Sequence, residues 1–247
     1  MNFSDLLQEL DLNYPDALST ANELAAVAFD PQIATADKCW EVIWNKPLFA
    51  NAEVEIAEKS VSLINPFMEN SWETWADELN GVLVTKSQEG TSNGDFTFDN
   101  DLARRIREET NIDPHRLFAI RNAAIALKKR AMLHEFPYDD LIIFDTDEQV
   151  TKLKEEMEEG WDDLAILHLL VDFGFAVEPD EHLVNTIKFL GLYEAKSNSE
   201  EPSAEEIIQI NMIVKDFTEK EFGAVSSSSL RTMANILMEI SKCGLVG

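Results

Sequence analysis

Asp180 and His182 stand where this chain is best placed to do chemistry. They belong to Pro179-Asp180-Glu181-His182, inside the stretch "FAVEPDEHLVNTIKFLGLY" that runs from Phe175 to Tyr193. An acid in the first turn of a helix faces the positive end of the helix dipole, a setting that suits a standing negative charge. Proline followed by an acid is also ordinary helix-start grammar, contributing roughly 0.5–1 kcal/mol through the dipole. The spacing by itself favours the helix start, and the catalytic role stays open beside it.

Most other chemistries leave no trace. Neither type of glycine-rich phosphate cradle is present, and no G-x-S-x-G nucleophile elbow occurs. His115, His134, His168 and His182 fit no HExxH or Cys/His pattern. Cys39 and Cys243 have no metal-ligand spacing, and nothing supports a disulfide between them. The sequence therefore points to no metal and no cofactor.

The elements that must position Asp180 read as helices, and the expected class is all-α. Asp113 as N-cap and Pro114 at the first helical position start a helix whose stripe is Leu117, Ile120, Ala124, Leu127 and Ala131. Arg121 and Lys128, seven apart, share another of its faces. Over 146–159, Val150, Leu153 and Met157 form a narrow stripe on an acidic helix. "LAILHLLVDFGF" is apolar almost all round, which predicts a buried helix ending at Gly174 with His168 as a core histidine. Leu183, Ile187 and Leu190 make the stripe of the helix that Asp180 begins. Ser203 and Glu206 form a capping box ahead of Ile207, Ile210, Val214 and Phe217, with Gly223 as the stop. A last helix starts at a serine and closes at Gly244. Helices are also expected over 17–29, 52–64 and 72–84. "TKSQEGTSNGDFTFDND" and "YEAKSNSEEPS" read as long loops.

Taken as a unit, residues 160–192 run from a short acidic turn at Gly160 through the buried helix, Gly174 and an extended link to "PDEHLV" and "KFLGLY". This order resembles the second half of the helix-hairpin-helix DNA glycosylase superfamily, over roughly 160–247. The resemblance implies a multi-helix glycosylase-like core at 95–247, preceded by an acidic helical region at 1–90. It implies base excision for DNA repair: positive charge develops on the sugar as the glycosidic bond breaks, and a carboxylate stabilises it after the base is flipped out. Asp180 is then the catalytic residue and His182 its support. The family's hairpin departs here, because the matching "EGWDDLA" (159–165) has Trp161 in place of the second glycine and Asp163 in place of the lysine. A lyase step through a Schiff base is thereby excluded, and Asp162 with Asp163 would oppose a docking phosphate. Trp161, Phe173 and Tyr193 read as core rather than as base-stacking residues.

Charge supplies the competing reading. The 247 residues carry 47 acids against 20 Lys plus Arg, a net of −27. Such a surface repels nucleic acid at long range unless a local basic face intervenes. Residues 1–80 hold only Lys38, Lys46 and Lys59 as cations, whereas Arg104, Arg105, Arg107, Arg116, Arg121, Lys128, Lys129 and Arg130 crowd into 101–130. Arg104, Arg105, Arg107, Arg121 and Lys128 are the candidate DNA-binding residues. Their pairing with acidic neighbours is an equally good expectation. The alternative function is a non-enzymatic acidic helical protein, DNA-mimic-like or regulatory, that engages a basic protein partner. No apolar run is long enough to span a bilayer, and the N-terminal "MNFSDLLQELDLNYPDAL" carries acids where a targeting peptide carries Lys or Arg. No membrane association and a cytoplasmic location are expected.

Overall fold

Short polar side chains start the helices of this chain by satisfying amides that have no partner of their own. The Asn2 side chain accepts from the Asp5 amide at 3.0 Å and the Asp5 carboxylate accepts from the Asn2 amide at 3.0 Å. Ser203 and Glu206 make the same reciprocal pair, as do Ser226 and Ser229. Asp113 accepts from the His115 amide at 2.9 Å, with Pro114 in the first turn. Gly223, at φ 80°, ends its helix in the left-handed conformation that glycine adopts without strain.

The computed structural model describes residues 1–26, 29–49, 52–68, 72–77, 101–194 and 202–246. Among these residues the secondary structure is helical and no strand occurs. The helices are α1 (Phe3–Asn13), α2 (Pro15–Ala26), α3 (Ala36–Ile43), α4 (Lys46–Phe49), α5 (Val54–Ile64), α6 (Trp72–Asp77) and α7 (Asp101–Thr110). They continue as α8 (Pro114–Ala131), α9 (Thr146–Met157), α10 (Asp163–Phe173), α11 (Glu181–Phe189), α12 (Ala204–Phe222) and α13 (Ser227–Lys242). Most of the two stretches expected as long loops, and the end of the helix expected over 72–84, lie outside the described residues.

Two compact units divide the chain. One comprises Met1–Pro31, Asp140–Val150 and Leu170–Gly247; the other comprises Gln32–Asp139 and Thr151–Leu169. Phe3, Leu6 and Leu10 of α1 and Ala21 of α2 bury themselves in the same apolar cluster as Leu183, Ile187, Val214, Leu230, Met233, Leu237 and Ile240. Each such large aliphatic side chain contributes about 1.5–3 kcal/mol on leaving water. That burial holds the N-terminal helices to the C-terminal ones, however acidic their outer faces. In this unit α13 packs against α1, α2, α11 and α12, and the Phe3 and Phe217 rings meet edge-on at 5.0 Å.

The second unit gathers around α8, which packs against α3, α4 and α6. Its alanines (Ala119, Ala123, Ala124, Ala126) are buried and let neighbouring backbone come close. At Gly160 a Cβ would lie 2.6 Å from the Ala119 Cβ, and φ there is 95°, so both space and backbone demand glycine.

The expected stripes are largely present. Val150, Leu153 and Met157 of α9 are buried, as are Leu117, Ile120, Ala124 and Leu127 of α8. One expectation is corrected: α10 buries Ile166, Leu169, Leu170 and Phe173, but His168 is exposed, as is Leu164. His168 is the one polar residue within the apolar run 164–171 and lies on the side turned to water, so it is no core histidine.

Candidate functional site

Asp180 is the N-cap of α11, with extended backbone and a carboxylate oxygen accepting from the Leu183 amide at 2.8 Å. Three features put it there. Gly174, at φ 74°, ends α10 and lets the chain reverse, and the amides of Phe175 and Ala176 return to the Leu170 carbonyl at 2.8 and 3.1 Å. Phe175, Ala176 and Val177 then run buried. Finally, the fully buried Asn211 of α12 accepts from the Val177 amide at 2.5 Å and donates to the Val177 carbonyl at 3.1 Å. This amide clamp satisfies both main-chain groups of a buried link.

Arg231 of α13 closes the other side. Its guanidinium lies so close to Gly174 that a Cβ there would fall 2.6 Å from Cζ. It donates to the Asp172 carbonyl at 2.6 Å and to the Phe29 carbonyl. Burial lowers its pKa, and the carboxylates of Asp30 and Asp172 oppose that shift. The guanidinium thus tethers the C-terminal end of α10, in the position where cations suit the helix dipole.

Between these parts lies an open cleft of about 320 Å³, lined by Leu24, Val177, Glu178, Asp180, Arg231, Asn235 and Met238 among others. Asn235 donates to the Ala21 carbonyl at 3.1 Å. Among the described residues no cation pairs with Glu178 or Asp180. His182 stands in the first turn of α11, its Nδ1 3.2 Å from the Ser241 hydroxyl and its Nε2 3.6 Å from the Glu181 carboxylate. It links α11 to α13.

The candidate basic face is differently disposed. Arg104 pairs with Asp101, and Arg105 with Glu109 at 3.3 Å, all along α7. Lys128 meets Asp77 at 2.6 Å. Arg107 is exposed on α7, and Arg121 is half-buried with its guanidinium 5.8 Å from the Phe118 ring centre. Burial lowers the Arg121 pKa, while the charge of Glu158 opposes the shift. Arg130, which the sequence reading did not single out, is buried against Glu156 at 2.5 Å and donates to the Pro137 carbonyl at 2.9 Å. All these cations belong to the second unit, whereas Asp180 and His182 belong to the first.

The segment matching the family hairpin presents carboxylates. Asp162 accepts from the Ala165 amide at 2.8 Å, starting α10, and Asp163 pairs with Lys154 at 2.5 Å. Trp161 is buried and donates from its indole to the Ala119 carbonyl at 2.9 Å. Phe173 and Tyr193 are buried too, so none of these three aromatics offers an open face to a base.

The functional side chains missed by sequence reasoning are Asn211 and Arg231. A lone asparagine among "IIQINMIV", four residues after Ile207 and one after Ile210, was the signal for the first. Arg231 carried no signal, because its acceptors are main-chain carbonyls far away in sequence. Among the described residues no three His, Cys, Asp or Glu side chains come together to hold a metal, and no helix is long and apolar enough to cross a membrane. Cys39 and Cys243 are both unpaired thiols, and burial pushes Cys39 up to about 12. Set against family models, curated proteins and solved structures, the chain matches none.

Proposed function

We propose that this protein is a non-catalytic acidic helical binding protein that engages a basic protein partner. The observation that carries the reading is the state of its charges. Arg104, Arg105, Lys128 and Arg130 each hold a carboxylate of their own unit. The net charge of −27 is therefore presented with little local relief, and the segment that would dock a DNA phosphate carries Asp162 and Asp163 instead. Cations held in pairs have little left to give to a phosphate backbone, and long-range repulsion works against DNA.

A second reading has its own observation. Asp180 caps α11 at the wall of a cleft, after a glycine-ended helix and an extended link, in keeping with a helix-hairpin-helix glycosylase-like core that excises a base without a Schiff-base lysine. On that reading His182 supports the turn.

One titration separates the two. The protein is mixed with fluorescent duplex DNA, with the same duplex carrying an abasic-site analogue, and with a fluorescent lysine-rich peptide, at low and moderate salt. Salt-sensitive binding of the peptide with indifference to both duplexes supports the binding protein. Preference for the abasic analogue, lost in Asp180→Asn, would overturn it in favour of base excision.

A further inference from the structure

We infer that the amine of Lys215 is a modification site that takes a short acyl group from a thioester. Lys215 of α12 meets the start of α9, and both belong to the first unit. Its nitrogen lies 2.8 Å from the side-chain oxygen of Gln149. It forms no ion pair among the described residues, although the exposed Asp216 and Glu219 stand near it on its own helix. Gln149 is fully buried, and its amide nitrogen donates to the Leu141 carbonyl at 2.7 Å. That bond fixes which end of the amide faces the lysine: the oxygen, a neutral acceptor. An amine held by a neutral group in a partly buried place favours its uncharged, nucleophilic form. Burial pushes the Lys215 pKa down to about 8, opposed by the charge of Asp145. At that pH about half of the amine is neutral, against about 0.4% for an unperturbed lysine.

The surroundings choose among electrophiles by what each would leave behind. A carbamate from carbon dioxide would add a negative charge where that of Asp145 is already felt. A neutral aldimine has no N–H and would lose the bond to Gln149. An acyl amide is neutral and keeps one N–H for the Gln149 oxygen. It also brings a carbonyl acceptor. Thr146, fully buried one turn before Gln149 on the same face of α9, has a hydroxyl without a hydrogen-bond partner, and an acceptor is what that donor lacks. Lys215 is partly exposed, which suits a short acyl chain. A thioester is favoured over an acyl phosphate because the acid-rich surface repels an anionic donor. In the step, the neutral nitrogen attacks the thioester carbonyl carbon and the C–N bond forms. The C–S bond breaks with its electron pair on sulfur, and the proton shed by nitrogen goes to the departing thiolate.

The test incubates the full-length protein at pH 8 with S-acetyl-N-acetylcysteamine, an uncharged thioester, and follows acetylation of each lysine by peptide mass spectrometry. Lys188 and Lys220, both exposed, are the internal references. We expect Lys215 to acetylate about tenfold faster than either, less than the roughly hundredfold that its neutral fraction allows, because partial burial slows access. In concentrated urea the three should react alike. Gln149→Glu, which sets a carboxylate against the ammonium, should slow Lys215 about tenfold and leave the two references unchanged. A folded wild type in which Lys215 leads the references by less than about threefold would overturn the site, whatever the variant does. An unchanged Lys215 rate in Gln149→Glu would overturn the role given to Gln149, and with it the inference. Neither result depends on what the acidic surface binds.

Discussion

The α7–α8 segment and the α10–α11 junction hold opposite charges and treat them in opposite ways. In the first, Arg104, Arg105, Lys128 and Arg130 are drawn onto Asp101, Glu109, Asp77 and Glu156. In the second, Glu178 and Asp180 line a cleft and, among the described residues, neither forms an ion pair. A protein with 47 acids can neutralise every local cluster of bases, but 20 bases cannot neutralise every cluster of acids. What a charged segment offers a partner is set by what remains after internal pairing. By that measure the basic segment is the quieter of the two.

The sharpest way to break this contrast is to strip a cation of its partner. Arg130 is almost fully buried and Glu156 partly so, so Glu156→Ala leaves a buried guanidinium with the Pro137 carbonyl and the Tyr138 ring 4.9 Å away. We expect a loss of about 3 kcal/mol in urea unfolding, as for other broken buried pairs. A loss under about 1 kcal/mol would mean that the pair is solvated and the neutralisation weak.

Lys215 tests a cation held without a carboxylate. Its ammonium meets the Gln149 amide oxygen at 2.8 Å, and burial pushes its pKa down to about 8, opposed by the charge of Asp145. A lysine whose folded pKa lies below the unfolded value of 10.5 penalises the fold while charged, fully below pH 8. The penalty is relieved as pH rises from about 8 to 10.5. Wild type should therefore gain on Lys215→Met across that window, by on the order of 2 kcal/mol. Parallel stability–pH curves would show that Lys215 is solvated.

The remaining changes are smaller and sharpen the cleft side. Asn211→Leu leaves the Val177 amide and carbonyl buried without partners and should cost about 2 kcal/mol in thermal unfolding. Asp180→Ala should cost about 1 kcal/mol by loss of the cap, and Asp180→Asn close to nothing, in thermal unfolding. Lys128→Ala, which breaks an exposed pair, should change stability by less than about 0.5 kcal/mol.

How far the site could be read in advance follows from the range of the forces involved. The start of α11 at Asp180, the capping box of Ser203 and Glu206, the Asp113–Pro114 start and the stop at Gly223 are contests between a side chain and amides two or three residues away. The sequence states both contestants. His168 was misjudged because a strongly apolar helix gives little indication of which narrow side meets water. Charge describes the outer faces of α1 and α2, while Phe3, Leu6 and Leu10 on the inner face of α1 pack into the same apolar cluster as the C-terminal helices. Arg104 and Lys128 looked alike as cations; one pairs along its own helix, the other with Asp77, 51 residues away.

The sequence by itself determined an all-helical chain, most of its caps, the apolar stripes and the excess of acid, because these depend on composition and on neighbours within a turn or two. Only the tertiary structure decided which carboxylates remain unpaired. It brought Asn211 to the link before Asp180 and Arg231 to the end of α10, and it opened the cleft between Leu24 and Met238. Those outcomes depend on packing α12 and α13 against segments far away in sequence, where burial of whole helix faces outweighs any local preference.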